Sequence, residues 1–154
     1  MHRPLERTII EFSDADGDCR NIEFIGRHAV KLIFLSETEY KHQKGTYSSE
    51  ISSLIDERYC LDKQDCDDLR TISERSDVFI NVSIKVIENI PVFTRSCTSR
   101  PCFEARLQVS VPISEYDDEK YVYKITINEN MRVTVEHTRP LANGLRYPDK
   151  KLCF

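Results

Sequence analysis

From Val78 to Thr138 apolar and polar residues alternate with a period of two, and few patterns constrain a fold more tightly. Val78, Ile80, Val82, Ile84 and Val86 fall on one side of a first strand. Phe103, Ala105, Leu107, Val109, Val111 and Ile113 do so on a second. Tyr121, Tyr123, Ile125 and Ile127, then Met131, Val133 and Val135, continue the pattern on a third and a fourth. Successive side chains of a strand point to opposite faces, so the spacing predicts an antiparallel meander with one apolar and one polar surface. The apolar surface demands a cover.

Upstream, Thr8 to Phe12, Asn21 to Ile25 and Ala29 to Leu35 read as three further strands. The turn chemistry of Ser13-Asp14-Ala15-Asp16-Gly17-Asp18 and the short Gly26-Arg27-His28 link separate them. The continuous apolar run in the last of these suggests a central strand. Between Ser36 and Asp77 the period changes. Ser48 is placed to cap a helix reaching about Cys60, and Asp62 a second one through Arg75, with Cys66, Leu69 and Ile72 on one face. After Pro140 the chain reads as coil. The expectation is one α+β domain over residues 1–154: three N-terminal strands, two short helices and a four-strand C-terminal meander, largely antiparallel and open to curling toward a partial barrel.

Charge narrows the function classes. The chain has 154 residues, 31% of them charged, and a formal net charge of −4, with the acidity concentrated in the first half. Nucleic-acid binding draws most of its affinity from Lys and Arg on phosphates, so no nucleic-acid partner is expected. The longest apolar run, Leu32 to Leu35, is far too short to cross a bilayer, and the first residues hold no apolar signal core. A cytoplasmic protein without a membrane partner is therefore expected. In that setting the six cysteines, Cys19, Cys60, Cys66, Cys97, Cys102 and Cys153, read as thiols, although Cys97 and Cys102 are close enough in sequence to clasp their loop.

No motif names a reaction. Asp14, Asp16 and Asp18 with Glu23 have the alternate spacing of a calcium loop, yet Cys19 stands where glycine is required and Ile25 where the bidentate acid belongs. The cysteine spacings depart from zinc knuckles. No metal and no cofactor is expected, nor catalytic residues. Two readings remain. The first is a small non-catalytic binding or inhibitor protein, of the kind that acts as an immunity protein or a viral anti-defence factor. It would seize a basic macromolecular partner, a protein, through Asp62, Asp65, Asp67, Asp68 and Glu74. The second is a sequestering protein or hydrolase for a nucleotide-like anion, with Tyr121, Tyr123 and His137 lining a pocket between helices and sheet, and Arg106 or Arg132 holding the anion. Homo-oligomerisation is compatible with either.

Overall fold

The computed structural model describes residues 19–21, 23–87, 101–112, 120–137 and 151–153. Strand β1 (Cys19–Asn21) is followed by helix α1 (Phe24–Lys44), a short 3-10 helix (Ile51–Leu54) and helix α2 (Lys63–Glu74). Strands β2 (Phe79–Ile87), β3 (Cys102–Pro112), β4 (Lys120–Asn128) and β5 (Val133–His137) come next, and β6 (Lys151–Cys153) closes the order. β2 to β5 form an antiparallel meander in sequence order, and β1 pairs with β6 in a separate two-stranded ladder. The fold is the expected α+β type. The four-stranded sheet stays open, with β2 and β5 at its edges.

The meander keeps closely to the alternation. Phe103, Ala105, Leu107, Val109 and Val111 on β3 and Tyr121, Tyr123, Ile125 and Ile127 on β4 are all buried on the face that α1 covers. One irregularity alters the pattern on β2. Phe79 pairs with Val109 but Ser83 with Arg106, so a bulge inserts one residue, with Asn81 at a φ of 54°. The bulge shifts the parity: Phe79 and Ile84 both face inward, and Ile80 is only half-buried.

The N-terminal half departs from the strand reading. The stretches expected as strands at Asn21–Ile25 and Ala29–Leu35 belong, from Phe24 onward, to the 21-residue helix α1. Ile25, Ala29, Leu32, Ile33 and Ser36 recur at helical spacing and are buried, so the run of apolar residues is a helical stripe with its flanks, not a two-sided strand. Arg27, Lys31 and Glu39 occupy the other faces. Gly45 ends the helix in the left-handed conformation (φ 83°), its amide donating to the Lys41 carbonyl at 2.7 Å, and Lys41, His42 and Lys44 suit the negative helix end. Thr8 to Phe12 lies outside the described residues.

The helix expected from Ser48 to Cys60 shrinks to the 3-10 turn Ile51–Leu54. Ser48 bonds both the amide and the carbonyl of Glu50 through its hydroxyl, a local closure that competes with helical pairing. Asp62 does cap α2, accepting from the Asp65 amide at 2.9 Å. The coil expected after Pro140 contains strand β6. The thiol reading is also overturned: Cys60 and Cys66 form a disulfide, Cys102 is disulfide-bonded, and no described cysteine is free.

Helix α1 meets the sheet in close contact at Gly26, whose amide donates to the Tyr123 hydroxyl at 3.0 Å. A Cβ at this position would lie 2.8 Å from Cε2 and from the oxygen of that ring. Helix propensity alone would favour alanine by about 1 kcal/mol. Steric displacement of a buried ring should outweigh it, so we expect Gly26→Ala to lower stability by about 1–3 kcal/mol in urea unfolding. A neutral or stabilised variant would show that the contact is slack.

Candidate functional site

Three polar groupings stand out against the apolar core, and each is placed by a different part of the fold. The first gathers where α1 begins. Glu23 precedes the helix, is buried, and takes Arg27 at 2.8 Å, one turn on. His137, the last residue of β5, lies 3.4 Å from Glu23 through Nε2 and 2.9 Å from the Tyr121 hydroxyl through Nδ1. The Tyr121, Tyr123 and His137 rings contact one another with centroids 5.6–6.1 Å apart. Burial and the nearby Glu23 carboxylate push the Tyr123 phenol well above its usual range.

The structure thus brings together three of the five residues of the anion-pocket reading. Tyr121 and Tyr123 are almost wholly buried, and their hydroxyls bond His137 and the Gly26 amide. Arg106 and Arg132 lie elsewhere. Arg106 pairs in register with Ser83 and Thr126, points to the sheet face opposite α1, and donates to Glu104 at 2.9 Å. Arg132 is exposed just before β5, its amide bonded to the Asn128 side chain. On that face a groove of about 330 Å³ is lined by Ser83, Lys85, Glu104, Arg106 and Asn128, with Ile87 and Cys102 also in its wall.

The second grouping is the acidic segment. Its five candidate residues split by burial. Asp65 and Asp68 face inward, and Asp68 receives His28 at 3.2 Å and Gln64 at 3.1 Å. Asp62 is exposed but spends an oxygen on the helix cap; Asp67 is half-exposed and paired with Arg70 at 2.9 Å; Glu74 is exposed. Arginine forks also neutralise the flanks. Arg58 grips Asp56 through two nitrogens and holds its carboxyl down to about 2, and Arg75 lowers Asp77 in the same way.

Within this segment the Cys60–Cys66 disulfide closes a short loop, and Leu61 projects from it 69% exposed, the most exposed large apolar side chain among the described residues. A cleft of about 400 Å³ adjoins the loop, lined by Ile55, Asp56, Glu57, Lys63, Asp67 and Arg70.

The third grouping was not anticipated from the sequence. Glu37, on the fourth turn of α1, is fully buried and accepts from the Ser48 amide at 2.7 Å through Oε1. Burial raises its carboxyl to about 8 despite that hydrogen bond. Next to Ser48, Tyr47 packs on Phe103 with ring centroids 4.7 Å apart, and burial, Glu129 and Glu37 all raise its phenol. The signal was present: with residues 24–44 read as a helix, Glu37 is an acid four residues beyond Ile33 on the apolar stripe.

Comparison of the chain with protein families, with curated proteins and with solved structures finds no match. The geometry alone bears on function.

The sign of the Glu37 effect is definite. A carboxyl with a folded-state value raised from 4.5 to about 8 favours the protonated native state, so its contribution is intact below pH 4.5 and lost as pH rises toward 8. Glu37→Gln keeps an acceptor for Ser48 and removes the titration. We expect equal stability of the two proteins near pH 4.5 and an advantage for the variant at pH 8 that approaches an upper bound of about 4 kcal/mol, read by denaturant melts across the pH range. A difference independent of pH would contradict the assignment.

Proposed function

We propose that the chain is a non-catalytic binding protein that docks a basic protein partner through the surface around the Cys60–Cys66 loop. The observation that carries this reading is the exposed Leu61 held on a disulfide-closed turn beside an open cleft. Affinity between proteins concentrates in a few apolar or aromatic anchors, and ordering a loop before contact reduces the entropy lost on association. Leu61 serves as the anchor and the ring of charge around it as the rim. Asp62, Asp67 and Glu74 remain on the outside to steer a basic partner, while Asp65 and Asp68 support α2 from within.

No described helix is long and apolar enough to cross a membrane. A disulfide in a loop of this kind persists in oxidising compartments, and we therefore put the protein at work in one instead of the cytoplasm expected from sequence. The small-molecule reading keeps one foothold among the described residues, the groove carrying Lys85 and Arg106 on the sheet face opposite α1, where Glu104 already engages the arginine.

The test is capture of partners from an extract of the native source on immobilised chain, with quantitative mass spectrometry. A species retained by the native chain should fall at least tenfold with Leu61→Asp and more modestly, in a salt-dependent way, with Asp67→Asn. Lys124→Ala, on the far sheet face, should leave it unchanged. Retention indifferent to Leu61→Asp would remove the loop from the proposal.

A further inference from the structure

Asn81 is the one asparagine of the chain followed two residues on by serine or threonine with no proline between, in Asn81-Val82-Ser83. That spacing is the acceptor pattern for N-linked glycans. On sequence alone two points weigh against it: strand alternation runs straight through the triplet, and a cytoplasmic chain meets no oligosaccharide donor. The fold alters both.

The first point concerns the strand. Between the pairs Ile80–Gln108 and Ser83–Arg106 only Leu107 stands opposite Asn81 and Val82, so Asn81 belongs to the bulge and not to the regular ladder. Its φ of 54° is a left-handed conformation that asparagine tolerates better than most residues. β2 is also an edge of its sheet, paired among the described residues with β3 alone. Asn81 and Ser83 are both exposed, while Val82 between them packs against the core. The bulge explains an asparagine at 81; it makes no demand for a hydroxyl at 83.

The second point concerns the compartment. Cys60 is joined to Cys66, Cys102 is disulfide-bonded, no described cysteine is free, and the β1–β6 register sets Cys19 opposite Cys153. Disulfides form and persist on the route of export, which is where asparagine-linked glycans are added.

We propose that Asn81 is an N-glycosylation site, an inference that rests on the oxidising setting argued above. In the transfer the Asn81 amide nitrogen bonds to the anomeric carbon of a lipid-linked oligosaccharide. The carbon–oxygen bond to the polyprenyl diphosphate breaks, its electron pair leaves on the diphosphate, and the nitrogen gives up one proton to a base of the transferase. The folded chain can carry the product because a bulky hydrated group fits at an exposed edge position. It also has an effect there: a glycan beside the outer backbone groups of β2 keeps a further strand from adding to that edge.

The experiment follows gel mobility before and after digestion with a peptide N-glycosidase, for the full chain from its native source and for the full chain secreted by cultured eukaryotic cells behind a cleavable leader. Both should drop by one discrete step, with peptide mapping placing the resulting deamidation at position 81. Among secreted variants, Ser83→Ala leaves Asn81 in its bulge and should fold yet lose the step; Asn81→Gln should lose it too, and Ser83→Thr should keep it. A native-source chain without the step but with Cys60–Cys66 closed would overturn the site and leave the oxidising setting standing. The same chain with open cysteines would overturn both, and a step that survives Ser83→Ala would remove the assignment to Asn81.

Discussion

The hydrogen bond from the Gly26 amide to the Tyr123 hydroxyl is the contact on which the rest of the arrangement depends. Amides in the first turn of a helix have no partner within it, and Glu23 supplies no side-chain cap. The phenol of a central strand does this work from across the core. Because residue 26 has no Cβ, the helix can approach within contact of the ring, and the buried phenol in turn gains a donor. One bond thus satisfies a helix end, orients a core tyrosine and sets the distance between helix and sheet.

That distance governs how the rest of α1 meets the core. Ile25, Ala29 and Ile33 reach the interior in sequence, each removed from water, with the larger ones contributing roughly 2–3 kcal/mol. The same stripe then carries Glu37 inside, where only the Ser48 amide meets it. Gly45 reverses the chain and returns Tyr47 over Phe103, next to the Asn128–Met131 turn. At the opposite end Glu23, Arg27, Tyr121 and His137 join the helix start to the end of β5. Polar contacts therefore pin both ends of an otherwise apolar interface.

The sheet was legible in the sequence because strand alternation leaves little room for another reading, and Tyr121, Tyr123 and Ile125 face inward as expected. The cap at Asp62 was legible for a local reason: a short acceptor side chain before a helical stripe has few other uses. Helix α1 was not read because Ala29-Val30-Lys31-Leu32-Ile33-Phe34-Leu35 is dense enough in apolar residues to resemble a buried strand. Only a longer window, reaching to Ser36 and Tyr40, reveals the period of 3.6. The bulge at Asn81 could not be inferred, since it depends on how β2 meets β3. The candidate residues divided for the same reason: a face can be assigned from alternation, but whether Asp65 or Asp67 points to solvent depends on what α2 packs against.

Amide hydrogen exchange at Gly26 tests the central contact most directly. An ordinary first-turn amide exchanges within the fraying regime, far faster than strand amides of the core. With the phenol as its acceptor, the Gly26 amide should exchange as slowly as those of β4, through global unfolding, and should lose that protection in Tyr123→Phe. Exchange at a fraying rate in the native protein, or protection that persists without the phenol oxygen, would contradict the central role of this bond.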